Sequence, residues 1–316
     1  MGKILVTGCS GQVGTDLVEE LARKFGRENI IGFDLNQPLE NKHLEVFEKG
    51  DITEKETLNH IVKKYDIGTI YHLVSLLSAA GEKKPDAAWD INMKGLKHVL
   101  DLAKEHSLRV FWPSSIAAFG PSTPKENTPQ ETILNPNSMY GITKASGELL
   151  CNYYFQKFGV DVRSVRYPGL ISYKTEPGGG TTDYAVAIYY EALRNKKYTC
   201  FVRQDTVLPM MYMPDAIRAT ISIMDAPKEK IKTRLSYNLA AMSFSAKQLA
   251  EEIKKHILDF KCSFVPDSRQ KIADGWPKSI DDKKARKDWG WKHEYNLEKM
   301  TIDMLEKLRI KLGIRE

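Results

Sequence analysis

One loop constrains this chain more than any other part of it. Gly8-Cys9-Ser10-Gly11-Gln12-Val13-Gly14 follows the apolar run Ile4-Leu5-Val6 and opens a helical pattern over residues 13–25, closed by Gly26. In a strand–loop–helix of this kind, Gly8 permits the tight turn and Gly11 lets backbone N–H groups approach a pyrophosphate. Gly14 then lets helix and strand pack closely. Ser10, Gln12 and Val13 complete the loop at the positive end of the helix, where phosphates are stabilised. Asp34 closes the next apolar run, 20 residues beyond Gly14, with Leu35 beside it. A carboxylate there accepts hydrogen bonds from an adenosine ribose and repels a 2′-phosphate, and no Arg follows directly, so NAD is favoured over NADP. Three glycines also arise by chance, and a helix-capping loop with a surface Asp is the competing reading. The strand before and the helix after weigh against it.

The alternation continues to about residue 170. Strand-like runs at 3–7, 30–34, 44–48, 69–74, 109–113 and 161–167 are separated by amphipathic stretches at 13–25, 54–65, 87–106 and 139–158. This rhythm predicts right-handed crossovers and an α/β fold, a doubly wound parallel sheet of the Rossmann type. Ile70-Tyr71-His72-Leu73-Val74 is apolar almost throughout, as a strand covered on both faces requires. Asp51-Ile52 follows the third run, where an adenine contact is expected; Asp51 serves equally well as the cap of the next helix. After Tyr167 the regularity breaks at Pro168-Gly169 and Glu176-Pro177-Gly178-Gly179-Gly180. We therefore expect a dinucleotide-binding domain over 1–170 and a smaller α/β substrate-binding part over 171–316. The boundary is soft, because such chains can cross back and add a late strand to the first sheet.

Composition narrows the function. The excess of 47 basic over 41 acidic residues is small for 316 residues. The basic runs at 228–234 and 283–287 are short and interrupted, so they read as solvated helix faces and not as a nucleic-acid stripe. No stretch approaches a membrane span or the apolar core of a signal peptide. The four cysteines stand far apart and the seven histidines show no metal-ligand spacing, so neither a disulfide framework nor a zinc site is expected. A reducing compartment follows: the cytoplasm, or the mitochondrial matrix if a leader precedes this sequence. The expected partner is a small molecule, with no nucleic acid and no membrane.

Tyr140-Gly141-Ile142-Thr143-Lys144 places a tyrosine and a lysine four residues apart, on one helix face. A neighbouring ammonium favours phenolate, and tyrosine can then act as general base toward an alcohol. Pro113-Ser114-Ser115-Ile116-Ala117-Ala118-Phe119-Gly120 closes the fifth strand. With these residues the chain resembles the extended short-chain dehydrogenase/reductase family, whose nucleotide-sugar epimerases carry a similar turn. The resemblance implies that Ser115, 25 residues before Tyr140, supplies a catalytic hydroxyl, with Ser114 structural or a secondary substrate contact. It also implies cofactor contacts at Leu73, Val74, Asn92, Tyr140, Lys144, Tyr167 and Leu170.

Further blocks narrow the resemblance. Leu77-Ser78-Ala79-Ala80-Gly81, Gly180-Thr181-Thr182-Asp183-Tyr184-Ala185, Leu208-Pro209-Met210-Met211-Tyr212-Met213-Pro214-Asp215 and Gly275-Trp276-Pro277 are similar to the threonine-dehydrogenase branch of that family. A slightly larger small residue would be expected at Gly275. The implied activity is metal-independent, NAD-dependent oxidation of L-threonine at its β-hydroxyl to 2-amino-3-oxobutanoate. Tyr140 would be the base, assisted by Lys144 and Ser115. Ser78, Gly81, Thr181, Thr182 and Asp183 would meet the substrate, and Trp276 would either cover it or only pack. The GGGTTD loop would favour a carboxylate and cap the following helix. Residues 87–106 and 139–158 resemble helices that form a two-fold interface, implying a homodimer. A nucleotide-sugar epimerase or dehydratase, and a catalytically silent dinucleotide sensor, are the alternatives.

Overall fold

The computed structural model describes residues 2–38 and 43–314. Strands β1 (Lys3–Thr7), β2 (Ile30–Asp34), β3 (Val46–Lys49), β4 (Ile67–His72), β5 (Arg109–Ser115) and β6 (Val162–Tyr167) pair in parallel, in the order β6-β5-β4-β1-β2-β3. Helices α1 (Gln12–Phe25) and α2 (Lys55–Lys64) are crossovers between them. Alternate side chains of each strand enter two cores. Ile4, Val6, Ile30, Tyr71 and Phe111 meet Leu17 and Leu21 of α1 on one face. Leu5, Ile31, Ile70 and Val110 meet Leu58, Leu96 and Val99 on the other. Both faces are covered, which is why the strands are apolar at nearly every position. Truncating a fully buried leucine such as Leu5 costs about 2–5 kcal/mol.

The stretch read as one helix over 87–106 is interrupted. It is made of the end of α4 (Pro85–Trp89), a π-helical turn at Asp90–Lys94 and α5 (Gly95–His106), and a short helix α3 (Ser78–Lys83) precedes it. Helix α6 spans Met139–Phe158. The Ser138 hydroxyl accepts from the Gly141 amide at its start, and Gly159 ends it in the left-handed region.

Later elements are β7 (Gly169–Ile171), α7 (Tyr184–Asn195), β8 (Lys197–Cys200), β9 (Val207–Tyr212) and α8 (Met213–Asp225), then β10 (Tyr237–Asn238), β11 (Met242–Ser245), α9 (Ala246–His256) and β12 (Lys261–Phe264). The chain closes with α10 (Arg269–Asp274), α11 (Lys283–Trp289) and α12 (Leu297–Leu312). Strands β11, β9 and β7 form a small sheet, and β12 pairs with β8. Tyr184, Tyr189, Leu249, Ile253, Met300, Met304 and Leu308 build a third core under them. Strand β10 returns to the large sheet and pairs in parallel with β6. Ser236 beside it exchanges a hydrogen bond with Ser164 at 2.6 Å. No helix among the described residues is long and apolar enough to cross a membrane.

Candidate active site

At the carboxyl ends of β1, β4, β5 and β6 the strands open onto one cleft, the usual ligand position in a sheet of this winding. Gly8, Gly11, Gln12, Val13, Gly14, Leu73, Tyr167 and Leu170 line one part of it. Ser78, Ser114, Ser115, Tyr140, Lys144, Gly180, Thr181, Thr182, Asp183 and Trp276 line the rest. Pro113, Ser75, Leu77, Ile116, Pro168 and Gly169 complete the wall, and of these only Ser75 lies outside the motifs picked out in the sequence.

The glycine loop is shaped for close backbone approach. Gly8 has φ +77°, and a Cβ there would lie 2.9 Å from the Val74 amide nitrogen. A Cβ on Gly14 would lie 2.1 Å from the Gly8 carbonyl oxygen. Gly11 is the N-cap of α1 and brings no side chain to the first N–H groups, which leaves them for an anion. Asp34 turns toward this loop: its Oδ2 accepts from the Ser10 amide at 3.1 Å and its Oδ1 from Asn36 at 3.2 Å. Each oxygen keeps a second lone pair for a ribose hydroxyl. The Ser10 hydroxyl donates to the Asn36 carbonyl, and Leu35 stands exposed at the rim. These residues fit a dinucleotide.

Tyr140 and Lys144 come from successive turns of α6. The Lys144 ammonium donates to the Pro113 carbonyl at 2.7 Å and lies over the Trp112 ring. The Ser115 hydroxyl accepts from Ala117, which closes a single 3₁₀ turn, and lines the same cleft as Tyr140. Burial pushes Tyr140 up to about 12, and the neighbouring Ser115 hydroxyl offsets this only in part. Burial also brings Lys144 down to about 7, against the opposing charges of Cys151 and Glu148. The expectation that Lys144 holds Tyr140 low is therefore not met in this state. Burial weakens the charge of the lysine itself, and its ammonium donates to a carbonyl.

Several other expected contact residues also have structural work. The Asn92 amide is fully used: Oδ1 accepts from Leu76 N at 2.7 Å and Ser75 Oγ at 3.3 Å, and Nδ2 donates to the Leu76 carbonyl and Thr143. It pins the segment after β4 to α6 and does not line the cleft. Asp51 Oδ1 accepts from both the amide and hydroxyl of Thr53 at 2.8 Å, closing a turn ahead of α2, whose N-cap is Glu54. Ile52 is buried beside Gly95. Gly81 is packed between Ala88 and the Tyr140 amide, behind the cleft wall. Val74 contributes its backbone under Gly8. The Tyr167 hydroxyl is bonded to Thr220, away from the cleft. Asp183 does not cap α7 with its side chain; its Oδ2 accepts from Gly179 and Gly180, each at 2.8 Å, and ties the glycine loop to itself. Ser78 and Thr181 join their hydroxyls at 3.2 Å across the cleft wall.

The sequence reading missed a buried ion pair beneath the site. Glu148, one turn beyond Lys144, accepts from Arg166 at 2.8 and 2.7 Å. It also accepts a hydrogen bond from the Ser114 hydroxyl at 2.5 Å, so that hydroxyl's proton is directed to Glu148. Arg166 donates further to Asn238 of β10 and the Gln130 carbonyl. The spacing Tyr140-Lys144-Glu148 was a visible signal for one of these partners.

The family model for the NAD dependent epimerase/dehydratase family matches residues 4–240. The chain belongs to that family. It is 49% identical to an uncharacterized epimerase/dehydratase of Staphylococcus haemolyticus, over 98% of this chain and 99% of the relative. Among solved structures, it resembles the holo form of a GalE-like L-threonine dehydrogenase from Cupriavidus necator, with TM-score 0.95 and 52% identity over 97% of this chain and 99% of that one. A monomeric L-threonine 3-dehydrogenase from a metagenome, in its apo form, matches with TM-score 0.95 and 53% identity over 98% and 99% of the two chains.

Proposed function

We propose that this chain oxidises L-threonine at the β-hydroxyl, with NAD as acceptor, to give 2-amino-3-oxobutanoate. The observation that carries the reading is the convergence of Ser115, Tyr140 and Lys144 on one cleft with the glycine loop. The likeness to threonine dehydrogenases over nearly the whole chain supports the choice of substrate. Bound on the loop, NAD supplies the hydride acceptor. Gly8, Gly11, Gln12, Val13 and Gly14 would hold its pyrophosphate, Asp34 its adenosine ribose, and Lys144 the other ribose.

Tyr140 takes the proton of the substrate hydroxyl, and Ser115 holds the same oxygen through its own hydroxyl. That both side chains line one cleft supports this pairing. Desolvation by the substrate and the walls strengthens both contacts. Ser78, Thr181 and Thr182 present hydroxyls to the amino-acid head group, and Trp276 covers it. Incubating the enzyme with NAD and L-threonine and following NADH tests the reading. A nucleotide-sugar conversion is the second reading, because curated relatives are described as epimerase/dehydratases.

We also propose a homodimer in the cytoplasm. Ile142, Leu149 and Tyr153 of α6 and Trp89 of α4 are exposed large apolar side chains on neighbouring helices, which supports a two-fold contact there. Leu149→Glu should leave a monomer in size-exclusion chromatography. A wild-type chain that is already monomeric, as the metagenome neighbour is described, would reject the dimer.

A further inference from the structure

Lys125 stands behind the cleft, and the proposed chemistry does not use it. Its ammonium donates to the Gly120 carbonyl at 3.1 Å and to the Gly275 carbonyl at 2.6 Å. Gly120 follows the turn that Ser115 opens, and Gly275 is the C-cap of α10, directly before Trp276. A helix C-terminus leaves carbonyls without intrahelical partners and carries partial negative charge, so a cation is stabilised there. Asp274 adds a full negative charge nearby, itself paired with Arg203 at 2.7 Å. One side chain thus spans the end of the catalytic turn and the base of the tryptophan that lines the opposite wall.

The main chain on either side is held independently. Lys278 and Ser279 donate to the Lys125 carbonyl at 2.8 and 3.2 Å, Thr128 donates to Ser279 at 3.0 Å, and Asp281 to Thr128 at 2.9 Å. These bonds secure residues 278–281 whatever occupies the side-chain position at 125. The ammonium secures the part closest to Trp276.

We propose that Lys125 is a positioning residue that sets Trp276 over the substrate end of the cleft, tuning substrate affinity and not the chemical step. The inference rests on the reading that Trp276 covers bound L-threonine. The test compares the full-length wild type with Lys125→Met, Lys125→Arg, Trp276→Phe and the Lys125→Met/Trp276→Phe double variant. Steady-state constants, NAD affinity and acrylamide quenching of tryptophan fluorescence are read for each. Lys125→Met should raise KM for L-threonine about tenfold and leave kcat within about twofold, the signature of lost uniform binding. NAD affinity should not move, and Lys125→Arg should recover most of the KM. Quenching should increase in Lys125→Met but not in the double variant against Trp276→Phe. Unchanged KM and quenching in Lys125→Met would overturn the proposal. So would a joint fall of kcat, NAD affinity and thermal stability. A wild type that does not oxidise L-threonine removes the substrate reading alone, and quenching then decides whether Lys125 holds Trp276.

Discussion

The Lys144 ammonium lies 5.4 Å from the centre of the Tyr140 ring, one helical turn further along α6. Burial opposes charge on either side chain. The tyrosine is therefore an acid in the ligand-free protein at neutral pH, and forming the base requires a rise in pH or the arrival of ligand.

Removing the Tyr140 hydroxyl should remove the proton acceptor and little else. Tyr140→Phe should lower turnover by about 10²–10⁴, the range for a positioned general base, with NAD affinity retained. Stopped-flow and equilibrium titration separate the two. A variant with more than half the wild-type turnover would rule out Tyr140 as the base.

Turnover in the oxidation direction should rise toward alkaline pH, because burial holds Tyr140 up at about 12 before ligand binds. Stability has its own pH dependence. Lys144 is held near 7 when folded and returns to about 10.5 when unfolded, so between these values the unfolded chain binds more protons. Stability from this group therefore rises as pH increases from 7 toward 10.5 and is lowest below 7. Denaturant titrations of ligand-free Lys144→Met should show a stability advantage over wild type at pH 6 that shrinks by pH 10. An advantage independent of pH would show that Lys144 is not desolvated.

NAD should be preferred over NADP by at least about tenfold, or 1.4 kcal/mol, because Asp34 meets a 2′-phosphate with like charge. Asp34→Ala should narrow that ratio in kcat/KM measurements. Equal use of both cofactors by the wild type would take Asp34 out of this role.

The Glu148–Arg166 pair is 0% and 2% exposed, so each charge depends on the other. Arg166→Met leaves a buried carboxylate unpaired and should cost about 3–5 kcal/mol in chemical denaturation. A loss below about 1 kcal/mol would mean that Glu148 takes up a proton or reaches another partner.

Much of the first sheet was readable because its signals are local. Helix α6 runs from the Ser138 cap to Gly159, both of which are visible in the sequence, and β1, the glycine loop and α1 follow one another without a gap. The π-helical turn at Asp90–Lys94 was not readable. It holds Asn92, whose partners Leu76 and Thr143 lie 16 and 51 residues away, and no local pattern announces such bonds. Asp183 was hidden for a different, local reason: its spacing suggested a helix cap, but the Gly179 and Gly180 amides just before it reach its carboxylate first. The spacing of Glu148 from Tyr140 and Lys144 was visible, but its partner Arg166 comes from another element and no local pattern pairs the two. The two-residue strand β10 carries too short a pattern to be read at all, and its place is set by pairing with β6.

The central claim is the substrate. The most direct measurement is NADH formation by the wild-type chain with NAD and, in parallel, L-threonine, L-serine, L-3-hydroxybutyrate and UDP-sugars. The account predicts rapid NADH production from L-threonine and slower production from L-serine, since one missing methyl is worth only about 1–3 kcal/mol. It predicts none from 3-hydroxybutyrate or the UDP-sugars. No NADH from L-threonine together with conversion of a UDP-sugar would contradict it, and would assign Ser115, Tyr140 and Lys144 to an epimerase.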